Sequence, residues 1–286
     1  MPTQSAYHVA DWNGPNGERW VAHRARLDAM LAAFGEAAIT AAALAPGEQV
    51  LDIGCGAGTT SFMLAGCVGS LGHVLGVDIS APLIAAAQAL APGNAPVAFR
   101  LGDAAAVSLQ RGGFDLFFSR FGVMFFDDSL TAFRNLRLAL KHTGRIAFVC
   151  WRSAEENDWV RLPMGAIKDI VPGTPSDPEA PGPFSFGSRD RVWRLLIDAG
   201  FTDIAIEGFD HTIPFGAGET RDAALDDALV MAFEVGPLSR ALAGQSEDIR
   251  ARAAQAVRAV FATRPGEQSV MIEGAAWIVT ARNFNQ

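Results

Sequence analysis

The run Val50-Leu51-Asp52-Ile53-Gly54-Cys55-Gly56-Ala57-Gly58-Thr59-Thr60 constrains this chain more than any other feature. Its apolar start reads as a buried strand, its glycines as a tight turn, and the residues beyond Gly58 as the opening of a helix. Glycines at 54, 56 and 58 take away every Cβ and permit positive φ, so a ligand can lie against bare backbone. Two details separate this turn from a pyrophosphate cradle. The spacing is G-x-G-x-G, because position 59 is Thr. A carboxylate, Asp52, also stands just before the glycines, where it repels an anion and suits a ligand that carries an ammonium or another donor.

S-adenosylmethionine (SAM) is such a ligand, and the next residues continue in its favour. An apolar helical stretch with Phe62, Met63 and Leu64 leads to a second strand, Val74-Leu75-Gly76-Val77, which ends on Asp78. An acid about 20 residues beyond a glycine turn is where a nucleotide-binding βαβ unit grips a ribose diol. Asp103 follows a third short strand, Val97-Ala98-Phe99-Arg100; taken alone, it fits a turn residue before a helix equally well. A fourth strand, Phe114-Asp115-Leu116-Phe117-Phe118, runs into Ser119-Arg120-Phe121-Gly122, and His142-Thr143-Gly144-Arg145 turns into Ile146-Ala147-Phe148-Val149.

Over residues 49 to 152 this succession resembles the class I SAM-dependent methyltransferases, and by pattern their ubiquinone/menaquinone C-methyltransferase-like (type 11) branch. The resemblance implies that Asp52 with Gly54, Cys55, Gly56, Gly58 and Thr59 holds the methionine portion of SAM. It implies that Asp78 with Ile79 takes the ribose hydroxyls, that Gly102, Asp103 and Ala104 meet the adenine, and that Ser119, Arg120 and Phe121 lie along the cofactor. The implied fold is α/β, a doubly wound Rossmann-like seven-stranded sheet, parallel with an antiparallel last strand, flanked by helices and carrying helical cap insertions. Alternating strand and helix signals from Gln49 to Trp151 independently favour a parallel sheet, since each parallel pair needs a crossover.

Outside that core the chain divides into pieces of cover. Residues 1–46 form an N-terminal helical cover, in which Trp20, Leu27, Leu31 and Phe34 recur at helical spacing and Ile39 to Leu44 suggest a second short helix. Residues 47–286 form the methyltransferase domain, with cap insertions at about 153–188 and 217–265. The first insertion is proline-rich, from Pro172-Gly173-Thr174-Pro175 to Pro181-Gly182-Pro183, and cannot be sheet interior. Then come a helix from Arg189 to Ala199, a strand from Phe201 to Glu207, one long helical stretch from Thr220 to about Ala262, and a last strand from Gly274 to Ala281.

Arg24 falls on the stripe of Trp20 and Leu27, where plain core would want an apolar residue. Either Trp20 and Arg24 close over the cofactor, with the guanidinium answering the methionine carboxylate, or Arg24 packs its stem and leaves its head in water. Arg120 is either a pocket group or a partner of Asp127 or Asp128, acids that also suit the cap of a helix starting near Ser129. Phe121 and Phe125 lie beyond their strand, where aromatic faces suit a sulfonium cation. Cys55 fills space in the turn.

Methyl transfer from a sulfonium expels a neutral leaving group, so alignment and exclusion of water carry much of the catalysis. The expected enzyme is therefore a SAM-dependent methyltransferase acting on a small molecule by in-line displacement in a lidded pocket. The alternative is a SAM-binding protein of the same fold with non-methylating chemistry or a sensor role. His8, His23, His211 and Glu234 fall in the cover and are candidate bases, with none ranked above the others.

A formal net charge of -8 argues against a nucleic-acid partner. Three cysteines without C-x-x-C spacing and five scattered histidines suggest neither a disulfide framework nor a metal site. No basic leader or long apolar span is evident, so the expected location is cytoplasmic, without membrane insertion. No feature sets an oligomeric state.

Overall fold

The computed structural model describes residues 9–171, 177 and 179–284. Two compact units partition the chain: Met1–Arg152, Pro178–Phe209 and Ala276–Gln286 form the first, and Ser153–Asp177 with Asp210–Ala275 the second. The first unit opens with α1 (Val9–Trp12), α2 (Pro15–Ala22) and α3 (Arg24–Ala42). Then follow β1 (Gln49–Ile53), α4 (Thr59–Val68), β2 (His73–Asp78), α5 (Ala81–Leu90), β3 (Val97–Leu101), β4 (Phe114–Arg120), α6 (Ser129–Ala139) and β5 (Leu140–Trp151). Helix α7 (Asp158–Ile167) belongs to the second unit, and α8 (Arg189–Ala199) returns to the first. Strand β6 (Thr202–Ala217), helices α9 (Arg221–Glu234), α10 (Pro237–Ala241) and α11 (Glu247–Ala262), and strand β7 (Ser269–Arg282) complete the chain, and both strands contribute to both units.

The seven strands form one sheet in the order β3-β2-β1-β4-β5-β7-β6. β1 is parallel to β2 and β4, β2 to β3, and β4 to β5, while β7 runs antiparallel to β5 from Arg145 opposite Arg282 to Trp151 opposite Ala276. Central strands are apolar on both faces, as a sheet covered by helices requires: Val50, Leu51, Leu116, Phe117, Phe118, Ile146 and Phe148 are all buried. The chain winds outward through β1, β2 and β3, then returns past β1 to build β4 and β5 on its other side. The winding therefore reverses between β1 and β4, and a ligand crevice opens beyond the carboxyl ends of strands at such a point.

Several element boundaries differ from the sequence expectation. The N-terminal helices break at His23, not after Phe34, so Trp20 and Arg24 stand on different helices and share no continuous stripe. His23 sits at φ -96°, ψ 10°, and hydrogen bonds still cross the kink, from His23 N–H to the Arg19 carbonyl and from Leu27 N–H to the His23 carbonyl. No helix restarts at Ile39, because α3 runs through Gly35 to Ala42. The glycine there is a packing choice: a Cβ would come within 3.0 Å of Arg120 Cδ. Both late strands are longer than expected, and the stretch from Thr220 to Ala262 is three helices rather than one, interrupted at Gly236-Pro237 and around Gly244. Positive φ at both glycines ends the preceding helical turn. Pro172 to Pro175 lie outside the described residues.

The second unit is tied by buried polar side chains. Asp158 accepts from Arg161, Arg264 and the Glu273 N–H, while Asn157 exchanges two hydrogen bonds with the Ala275 backbone. Arg221 donates to the carbonyls of Phe261, in the last turn of α11, and of Arg264, just beyond it, as basic side chains do at helix C-termini. Among the described residues no helix is long and apolar enough to cross a membrane.

Candidate functional site

A cavity of about 270 Å³ opens at the carboxyl ends of β1, β2, β3 and β4 and is lined entirely by residues of the first unit. Its floor is the glycine turn. Gly54 adopts φ +67° because the turn meets the one after β4: a Cβ there would stand 2.7 Å from Gly122 Cα. Gly56 adopts φ +56°, and a Cβ built on it meets nothing within 4 Å. Since Gly56 lines the cavity, that empty space belongs to the cavity.

Asp78 ties the turn to the tip of β2. Its Oδ2 accepts from the Gly56 N–H at 2.8 Å and its Oδ1 from the Ser80 N–H at 2.9 Å. Burial pushes its carboxyl above the ordinary range, against the pull of these amide donors. Each oxygen keeps a further lone pair for a hydroxyl. Asp103, at the mouth of the loop after β3, accepts from the Ala105 N–H and also lines the cavity.

The opposite end is cationic. Arg120, the last residue of β4, donates to Asp28 Oδ1 at 2.7 Å, and Arg24 lies 3.8 Å from Asp28 Oδ2. Arg120 thus pairs with Asp28 and with neither Asp127 nor Asp128; Asp128 instead caps α6 through the Thr131 N–H. Two guanidiniums share one carboxylate, which leaves an excess of one positive charge at this end.

Across the strands β3, β2, β1 and β4 the cavity therefore presents acid, acid, bare backbone and cation. Three inter-strand spacings separate its ends, roughly 14 Å. This linear polarity suits an extended molecule with hydroxyl and amine donors at one end and a carboxylate at the other.

Aromatic rings form the rest of the wall. Trp12 meets Trp20 edge-on at 5.9 Å and Phe125 at 5.4 Å. Phe121, held at φ +57°, stacks on Trp151 at 4.1 Å. Helices α1 and α2 are fastened where β2 ends: Ser80 Oγ donates to the Trp12 carbonyl, Asn13 Nδ2 donates to the Ile79 carbonyl, and Asn13 Oδ1 accepts from the Ala81 N–H. Asn13 thereby satisfies an orphan amide at the N-terminus of α5, a helix whose own Ser80 makes no side-chain cap.

Of the residues expected from sequence, Trp20, Arg24, Gly54, Cys55, Gly56, Asp78, Ile79, Gly102, Asp103, Ala104, Arg120 and Phe121 line this cavity. Asp52, Gly58, Thr59 and Ser119 stand behind its wall. Asp52 differs most from expectation: its side chain is buried and accepts from Ser61 Oγ at 2.6 Å. Its Oδ1 has no partner, and burial pushes its pKa up to about 7. Gly58 packs against Phe62 and Phe99, Thr59 Oγ1 donates to Asp28, and Ser119 Oγ accepts from the Gly122 N–H.

Asp28, Trp12 and Asn13 were not singled out from sequence. Asp28 carries one local signal, its place four residues after Arg24. Of the candidate bases, His23, His211 and Glu234 are not among the cavity-lining residues, and His8 lies outside the described residues. Burial also raises the Cys55 thiol well above its ordinary value, which keeps it protonated. Among the described residues no group of three or more His, Cys, Asp or Glu side chains is placed to hold a metal ion.

Known proteins resemble this chain in sequence and in fold. Residues 50–144 match the family model for a methyltransferase domain. Nocamycin O-methyltransferase of Saccharothrix syringae is 33% identical over 171 residues, covering 56% of this chain and 61% of that protein. The YcgJ protein of Bacillus subtilis superposes with a TM-score of 0.57 at 18% identity, over 88% of this chain and 98% of that one. Phosphoethanolamine N-methyltransferase 2 of Haemonchus contortus, solved with S-adenosylhomocysteine, does so with a TM-score of 0.52 at 17% identity, over 88% of this chain and 53% of that one. The chain spans about half the length of the curated relatives it matches. With the glycine turn, the acid at the tip of β2 and the antiparallel β7 all in their places, the sheet has the fold of the class I SAM-dependent methyltransferases, and residues 50–144 match the model of a methyltransferase domain.

Proposed function

We propose that this chain binds SAM in the cavity and directs its methyl group to a small-molecule acceptor. The observation that carries the reading is the order of groups from Asp103 and Asp78, across Gly56, to Arg24 and Arg120. The residues fit the cofactor: Gly56 leaves volume where a Cβ would stand, and the donor and acceptor sets match adenosine at one end and an amino-acid carboxylate at the other. Asp78 would hold the ribose diol, Asp103 and Ala104 would border the adenine, and Arg24 with Arg120 would face the carboxylate. Asp52 lies buried behind the turn with its Oδ1 unpartnered.

When bound, SAM supplies an electrophilic methyl on a cationic sulfur. The chain's own contribution is position and dryness. Trp12, Trp20, Phe121 and Phe125 surround the reacting space with aromatic carbon, which excludes water and favours a cation near ring faces. No cavity-lining residue is a nucleophile poised for covalent chemistry, and displacement at a methyl needs none.

Calorimetry with SAM, S-adenosylhomocysteine and NAD tests the donor, and a mass-shift screen of phenols, quinols, thiols and amines tests the transfer. Binding of the two adenosyl compounds with a gain of one methyl on an acceptor class is expected. Binding of NAD alone refutes the reading; SAM binding with no methylated product in any class leaves non-methylating chemistry or a sensor role in its place.

A further inference from the structure

We infer that Asp28 is a positioning residue that sets the chain's preference for a cofactor bearing a free carboxylate. This rests on the proposed SAM site and assigns to that site a residue which itself takes no part in the chemistry. Among the described residues, Asp28 joins three separate pieces of the cationic end. Its Oδ1 accepts from Arg120 Nη2 at 2.7 Å, and its Oδ2 accepts from Thr59 Oγ1 at 2.6 Å. Arg24 Nη1 stands 3.8 Å from the same Oδ2. Helix α3, the start of α4 and the tip of β4 thus meet on one carboxylate.

The burial of these groups makes the arrangement matter. Arg120 and Asp28 side chains are 16% and 18% exposed, so Arg120 cannot satisfy its guanidinium in bulk water without leaving its place. An arginine side chain has many rotamers to lose, and a fixed carboxylate partner is what holds its fork in one orientation. Thr59 fixes that partner in turn, since its hydroxyl hydrogen points at Asp28 and α4 begins directly after the glycine turn. The clamp is therefore registered to the backbone on which the cofactor lies. Asp28 neutralises one guanidinium and leaves the net charge of the cluster at one positive unit, enough to pair with one ligand carboxylate.

Two opposing effects follow from removing Asp28. The cluster becomes more positive, which strengthens long-range attraction for an anion, but Arg120 and Arg24 lose their common anchor and repel each other. Because the end is partly buried and Arg120 is held there by Asp28, loss of orientation prevails. The test compares the affinities of SAM and its decarboxylated analogue, measured by calorimetry for the full chain and for Asp28→Asn and Asp28→Ala. Asp28→Asn keeps the shape and one acceptor oxygen, so it controls for folding.

In the unsubstituted chain SAM binds at least tenfold tighter than the decarboxylated compound. In Asp28→Ala that ratio falls to within about threefold and in Asp28→Asn it falls partway, because SAM loses far more affinity than the decarboxylated compound, whose Kd rises only slightly beside a more positive cluster. Equal loss of both affinities marks a merely structural residue and overturns the inference, as does a ratio that stays constant or rises. A chain that binds neither compound refutes the SAM site itself, whereas one that binds both equally leaves the site standing and removes the carboxylate clamp.

Discussion

Gly56→Ala separates the ligand's claim on the glycine turn from the backbone's. At φ +56° an alanine is strained, at a cost of about 1 kcal/mol. In a domain of this size that lowers Tm by about 2–4 °C. Its methyl meets no protein atom within 4 Å, so the free protein has room for it and folds. With cofactor bound the same methyl competes for occupied volume, and overpacking of this kind costs about 1–3 kcal/mol, or roughly 5- to 150-fold in Kd. Gly112→Ala is the matched control. It has φ +61°, open space around its Cβ, and no place in the cavity wall. Thermal unfolding should show similar losses for the two variants, while calorimetry with S-adenosylhomocysteine should show weakened binding for Gly56→Ala alone. Equal, unweakened binding in both would mean that the turn does not face the ligand.

Other consequences are as specific. Asp52 has a folded pKa of about 7, above its unfolded value near 4, so between those limits the native state holds the extra proton. Stability therefore falls as pH rises from about 4 to 7 and levels off above, and Asp52→Asn should remove a contribution of about 4 kcal/mol to that slope; urea titrations of both proteins at pH 4.5 and 7.5 that differ by the same amount at each pH contradict it. Asn13→Ala removes the bonds to Ile79 and Ala81, so it should speed cofactor dissociation and expose the chain near Trp12 to protease, with a stability loss of about 1 kcal/mol. Unaltered proteolysis would show that the Ser80–Trp12 hydrogen bond and the aromatic contacts hold α1 and α2 without Asn13.

Local chemistry explains what could be read in advance. The glycine turn, Asp78 and Asp103 announce themselves because strand, turn and helix alternate with short spacing, and the parallel order of β1 to β5 follows from the same alternation. Beyond its spacing from Arg24, Asp28 is illegible for the converse reason: its hydrogen-bond partners lie 31 and 92 residues away, and only the fold brings them together. Asn13 reaches across 66 and 68 residues to the start of α5 and escapes sequence reasoning likewise. Asp52 was read as facing the ligand, but the last residues of a parallel strand point alternately to its two sides, and here Ser61 of α4 claims the carboxylate. The kink at His23 carries no glycine or proline, so no breaker marks it.

Hydrogen exchange of the full chain with and without S-adenosylhomocysteine locates the cofactor without relying on activity. Slowed exchange should gather in residues 53–58, 78–81 and 102–105, and at Trp12 to Asp28 where α1 to α3 border the cavity. Slowing confined to other segments, with those four stretches unchanged, would contradict the assignment of this cavity as the cofactor site.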